Sequence, residues 1–281
     1  MLGIIGGTGL YSFEGLADVV AHTIETPFGA PSAEVRVGSI GGRPVAFLPR
    51  HGVGHRLLPG EINFRANIWA LKSVGVRRII SVSAVGSLVE EIRPGELALP
   101  SQYLDYTKGI RAHTFFGQGI VAHISSAEPV CRGLRNALAQ IGTEQNVPLH
   151  RDVVYACVEG PRLGNRAESF FLRGVGARLV GMTNVPEVYL AREAQMCYCA
   201  IAVVTDYDCW MEDEAQHGTV DQILQLYRES LGRVQALLSG AIAAVEDDRD
   251  CPCRHALDQA VVTPDTALNE QQKERLAFLR S

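Results

Sequence analysis

An α/β fold around a mostly parallel sheet is what this sequence predicts, and three observations predict it. Short β-rich apolar runs alternate with helix-period patterns along most of the chain. At 281 residues and 47% apolar content there is material for one large core. Several of the apolar runs end in glycine and polar residues, where open α/β sheets bind their ligands.

In chain order the predicted elements are strands at 2–6 and 43–49, a helix over 61–74, strands at 77–83 and 95–99 and a helix over 129–142. A strand at 152–158, a helix over 165–173, a strand at 178–182, a helix over 186–195 and a strand at 197–205 follow. Pro186 suits the first turn of its helix, with Thr183 at the mouth. The helix over 219–245 rests on Ile223, Leu224, Leu226, Leu231, Val234, Leu237 and Leu238, which share one broad face. After it, Glu246-Asp-Asp-Arg-Asp250 reads as a solvated connection, and 269–279 as a short amphipathic helix. One catalytic domain over 1–246 and a C-terminal extension over 247–281, too short to fold alone, are expected.

Composition narrows the function. Lys and Arg number 26 against 31 Asp and Glu, a formal charge of −5, and no basic run appears, so a phosphate-backbone partner is not expected. The start, Met1-Leu-Gly-Ile-Ile-Gly-Gly, lacks a basic n-region and does not read as a signal peptide. No window approaches the about 18 apolar residues of a spanning helix. Seven cysteines, an odd number lying partly in strand-like runs, are not a secreted disulfide framework. A cytoplasmic protein with no membrane partner is expected.

The chemistry-bearing motifs sit at strand ends. Gly6-Gly-Thr-Gly9 suits either a tight turn or the close approach of a phosphate, with Thr8 as a hydroxyl donor. It lacks the spaced glycines and following helix of a dinucleotide fingerprint. Arg50-His51-Gly52 puts a cationic fork and an imidazole after the second strand. The third strand runs into Ala84-Val-Gly86-Ser87. Each alone has a plain structural reading, but their joint occurrence gives one anion several converging donors. Glu159-Gly-Pro-Arg162, Gly181-Met-Thr-Asn-Val-Pro-Glu187 and Thr205-Asp-Tyr-Asp208 complete the set, the last offering two carboxylates spaced i, i+2 on one face of a strand.

The order Gly-Gly-Thr-Gly, Arg-His-Gly, Asn63-Phe-Arg-Ala-Asn67, Glu-Gly-Pro-Arg, Met-Thr-x-Val-Pro-Glu and Thr-Asp-Tyr-Asp, spread over about residues 2–245, resembles the trimeric nucleoside phosphorylases. The resemblance implies a single α/β domain around a mixed, barrel-like central sheet flanked by helices, in a homotrimer. It implies phosphate-dependent cleavage of a purine nucleoside, expected to be a 6-aminopurine with a 5′-methylthio group; a 6-oxopurine nucleoside or methylthioinosine is the alternative substrate, and a non-catalytic nucleoside-binding protein the remote one. It places Thr8, Arg50, His51, Ser83, Ala84 and Thr183 on the phosphate. Met182 falls on the ribose, Asp206 and Asp208 on the base, and His123 near the 5′ group of a neighbouring subunit's substrate. Asp206 and His51 are the expected catalytic pair. Inorganic phosphate is a co-substrate, and no cofactor or metal is expected; Cys251-Pro-Cys253 with His255 offers at best three crowded ligands. The resemblance gives that cysteine pair a stabilising role, as thiols or a local disulfide. The chain departs from the family pattern at Leu163 and Gly164, where Phe and Ser are usual beside the base, and at Asn184, where Thr is common.

Overall fold

The computed structural model describes residues 1–7, 15–212, 219–246 and 250–281. Its strands are β1 (Leu2–Gly6), β2 (Ala17–His22), β3 (Val35–Ile40), β4 (Arg43–Pro49), β5 (Arg78–Ser87), β6 (Leu97–Tyr106), β7 (Leu149–Val158), β8 (Leu179–Gly181) and β9 (Cys197–Tyr207). The α-helices are α1 (Phe64–Ser73), α2 (Arg132–Glu144), α3 (Arg166–Gly174), α4 (Asn184–Glu193), α5 (Val220–Ala244) and α6 (Glu270–Arg280).

One nine-stranded sheet runs β2-β3-β4-β1-β5-β8-β7-β6-β9, and β5 also pairs with β9, so five strands close into a barrel. The sheet is mixed, with its two longest ladders, β5–β9 and β6–β7, parallel. The β1–β4, β1–β5, β5–β9, β6–β7 and β7–β8 pairs are parallel, whereas β5–β8, β6–β9, β2–β3 and β3–β4 are antiparallel. The ring closes through the antiparallel β5–β8 and β6–β9 pairs, which is the mixed barrel implied by the resemblance. The β2–β3 hairpin, absent from the sequence reading, is an edge ribbon whose β2 is exposed along almost its whole length, so no apolar alternation marks it.

Helix starts follow local chemistry. Asn165, Thr219 and Asn269 cap α3, α5 and α6 and form reciprocal capping boxes with Glu168, Gln222 and Gln272. Asn63 caps α1 by accepting from the Ala66 N–H. The segment after α5 is no appendage: Cys251, Cys253, Leu257, Leu268, Leu276 and Leu279 are buried in the same core as the barrel strands. Phe278 of α6 stacks on Trp69 of α1 with ring centres 3.9 Å apart. Lys72 Nζ donates to the carbonyls of Ala194 and Ser281, each at 2.8 Å.

Candidate active site

The carboxyl ends of β1, β4, β5, β7, β8 and β9 border one cavity of about 720 Å³. This is the position at which α/β sheets place ligands, because divergent loops leave a crevice beyond the strand ends. Arg50, His51, Ser83, Ala84, Leu163, Met182, Thr183, Asp206 and Asp208 all line it, so strands far apart in sequence bring most of the expected residues together. Thr8 lies outside the described residues, although its neighbour Gly7 is on the cavity wall.

At one side the cavity has hydroxyls in need of a partner. Among the described residues the buried Ser83 Oγ makes no hydrogen bond. Thr183 Oγ1, at the N-cap of α4, lies beside the Tyr155 hydroxyl without a well-formed bond. Buried polar atoms left unpaired are rare and ask for a ligand or water, and a phosphate oxygen satisfies both. His51 completes this side. Its Nδ1 is 2.9 Å from the Leu57 carbonyl, which can only accept, so Nδ1 carries the proton and Nε2 is left as an acceptor. Burial first, then the charge of Arg50, pushes its pKa down to about 4 against the pull of the Leu57 bond. The ring stacks on His55 with centres 4.2 Å apart.

Arg50 has a larger structural share than the sequence reading gave it. Its fork is aimed at Glu187, with Nε and Nη2 donating at 2.7 and 3.0 Å, and Nη1 donates to the Val82 carbonyl at 3.0 Å. Burial by itself lowers the guanidinium pKa, but Glu187 outweighs it and holds Arg50 firmly charged. The Ser81 hydroxyl accepts from Nη2 and donates to Glu187, and the Tyr198 hydroxyl donates to Glu187 at 2.8 Å. A guanidinium has five N–H groups, and among the described residues these bonds account for four, leaving the second N–H of Nη1. Asn184, for which the sequence offered no role, is fully buried and donates to both Ser81 and Tyr198, bracing the same network from the start of α4.

The other side carries two carboxylates and a thioether. The β5–β9 register shifts between Val85 and Gly86, which sets Gly86 opposite Asp206. A Cβ on Gly86 would lie 3.4 Å from Asp206 Oδ2 and from Asp208 Cβ, so glycine leaves both carboxylates room. Thr205 Oγ1 donates to Asp206 Oδ1 at 2.9 Å. Met182 packs directly on Gly160, where a Cβ would come within 2.4 Å of its sulfur. Glu159, on the cavity wall, accepts from Arg111 Nε at 3.0 Å, a contact that fixes the Glu-Gly-Pro loop. Arg111, which no motif singled out, also donates to the Glu159 and Val185 carbonyls and joins that loop to the start of α4.

The aromatic surface absent at Leu163 is present elsewhere. Tyr106 and Phe171 line the cavity and meet edge to face, 5.5 Å between ring centres. A side chain on Gly164 would start 3.7 Å from both Asp208 carboxylate oxygens, space that glycine leaves to a ligand. From α5, Val220, Ile223 and Leu224 give the cavity an apolar border, Val220 being 62% exposed. His123 is not brought to this cavity. It is exposed in a segment bonded to the residues before α6, its N–H donating to Ala260 O.

Residues 1–243 match the family model of the phosphorylase superfamily. The chain is 48% identical over 279 residues to S-methyl-5′-thioadenosine phosphorylase of Geobacter sulfurreducens, covering 99% of this chain and 97% of that protein. It is 46% identical over 278 residues to the enzyme of the same name from Koribacter versatilis, covering 99% and 94%. Among solved structures, a methylthioadenosine phosphorylase sourced from an antarctic soil metagenomic library superposes with a TM-score of 0.93 at 43% identity, over 99% of this chain and 98% of that one. A methylthioadenosine phosphorylase from Schistosoma mansoni in complex with adenine gives 0.84 at 38%, over 88% and 92%.

Proposed function

We infer that this chain, which belongs to the phosphorylase superfamily, cleaves the N-glycosidic bond of 5′-methylthioadenosine with inorganic phosphate, releasing adenine and 5-methylthioribose 1-phosphate. One observation carries the reading within the site: a buried hydroxyl, Ser83, unpaired among the described residues, and a pair of carboxylates, Asp206 and Asp208, border a single cavity. An anionic nucleophile and a nitrogen heterocycle are the ligands those two chemistries ask for.

Phosphorolysis needs a held nucleophile, tolerance of positive charge on the ribosyl ring and a proton for the departing purine. Ser83, Thr183, the remaining Arg50 N–H and the Ala84 backbone hold the phosphate oxygens, and His51 Nε2 accepts from a protonated one. The phosphate's charge, facing the anomeric carbon, stabilises the cationic ring as the C–N bond lengthens. Asp206, entering the step protonated, gives its proton to N7 of the leaving base and becomes the carboxylate, with Thr205 orienting its other oxygen. Met182 forms a face for the ribose, and the apolar side chains of α5 match a methylthio group better than a hydroxyl. Phosphate is both nucleophile and charge stabiliser, so these steps call on no electron or hydride carrier.

The oligomeric reading is a homotrimer, with His123 reaching a neighbour's cavity; its exposure away from its own cavity supports this. None of the seven cysteines is in a disulfide, which suits a reducing cytoplasm and an enzyme that salvages adenine and the methylthioribose unit.

The test is phosphate-dependent release of free base from methylthioadenosine beside methylthioinosine. Release of adenine that stops without phosphate supports the reading. A preference for the inosine analogue, or hydrolysis without phosphate, overturns it.

A further inference from the structure

We propose that Cys131, Cys197, Cys251 and Cys253 form a structural binding site for one Zn²⁺ ion, which ties the C-terminal segment to the barrel. The four thiol sulfurs lie within 4.8 Å of one another, and all four residues are buried. Cys251 Sγ is 3.7 Å from Cys131 Sγ and 3.5 Å from Cys197 Sγ. A tetrahedron with Zn–S bonds of about 2.3 Å has sulfur–sulfur edges of about 3.8 Å, so the group is already close to the size the ion needs. These two contacts are far longer than a disulfide bond of about 2.05 Å.

The ligands arrive from three places in the fold. Cys131 is the N-cap of α2, Cys197 opens β9, and Cys251 and Cys253 lie on the turn that follows α5. Four thiolates around Zn²⁺ carry a net charge of −2, which a buried site must offset. The Leu134 N–H donates to Cys131 Sγ at 3.4 Å, and Arg192 Nη1 donates to Cys253 Sγ at 3.7 Å. The helix end at Cys131 adds its positive dipole pole. On binding, four S–H bonds break, four protons leave to solvent and four Zn–S bonds form; no electron moves. Four sulfur ligands close the coordination shell, so the ion holds the fold and takes no part in glycosidic cleavage. The contacts of Cys251 with Cys197 and Cys131 bridge 54 and 120 positions, which is why Cys251-Pro-Cys253 alone looked like too few ligands.

The experiment uses the full chain, expressed with zinc in the medium and purified under anaerobic, reducing conditions. Plasma mass spectrometry should find about one zinc per chain that survives desalting and is released when a mercurial titrates the thiols. Metal-free protein given Co²⁺ alone should show the intense visible bands of tetrahedral thiolate coordination, a reading that needs no variant to fold. Cys253→Ser should lose most of the zinc, whereas Cys199→Ser, a buried cysteine outside the cluster, should keep it. Wild-type protein with no zinc and no cobalt bands overturns the proposal, whether its intact mass is short by four hydrogens, as two disulfides require, or it has four freely alkylated thiols. Iron in place of zinc overturns it also.

Discussion

Glu187 accepts two hydrogen bonds from Arg50 in a bidentate ion pair, at 2.7 and 3.0 Å, and each side chain is 1% exposed. The pair sits beside the cavity that Arg50 lines and fixes one face of it. Removing one partner of such a pair leaves a buried charge without compensation, which costs about 3–5 kcal/mol. Glu187→Gln should therefore lower the melting temperature by roughly 10 °C, at about 2–4 °C per kcal/mol for a chain of this size. Calorimetry showing a shift within error would mean that Arg50 is carried by Val82 and Ser81 without its carboxylate.

Gly160 has φ +69° and no space for a Cβ against Met182. Gly160→Ala should push Met182 off its position, raising the nucleoside KM about tenfold while the phosphate KM stays put. Equal effects on both constants would show that the loop, not Met182, has moved.

The strand ends were legible because apolar runs that stop at glycine and polar residues leave a local trace, and six such ends turned out to share a cavity. Partners distant in sequence left none. Arg50 meets Glu187 across 137 positions, and Asn184 meets Ser81 across 103, so no spacing rule marks either bond. Read alone, Arg50 looked like a ligand fork; its geometry is set by a carboxylate on another element. The exposed β2 and the Gly38 inside β3 hid the edge hairpin in the same way, since glycine reads as a breaker until its close approach to the Ala17 carbonyl is known.

Asp206 should set the base preference. The exocyclic amine of adenine donates and its N7 takes a proton on leaving, and a carboxyl group can serve both edges. A 6-oxopurine presents an acceptor where the carboxyl oxygen has to accept from the amine, and is left unpaired, at about 1–3 kcal/mol or roughly 10- to 100-fold in selectivity. Asp206→Asn should shift the kcat/KM ratio toward methylthioinosine by that order. Steady-state assays on both substrates decide it, and an unchanged ratio would move the preference to Asp208 or to Gly164 beside it.

His51 should make stability depend on pH. With Nδ1 bound to Leu57 and the ring buried beside Arg50, the folded protein holds the imidazole neutral down to pH about 4, whereas the unfolded chain takes up a proton near 6.5. The unfolded state thus binds more protons between these values. The contribution of His51 to stability is complete above pH 6.5 and is lost progressively as pH falls toward 4, amounting in full to about 3 kcal/mol. His51→Ala lacks this titration, so urea unfolding at pH 8, 6 and 4.5 should find the wild type losing stability on acidification faster than the variant, by up to that amount. The same substitution removes the Nε2 acceptor and should raise the phosphate KM more than the nucleoside KM. Parallel stability profiles would place a charged imidazole in the fold, and a variant weakened only toward nucleoside would move His51 to the other side of the cavity.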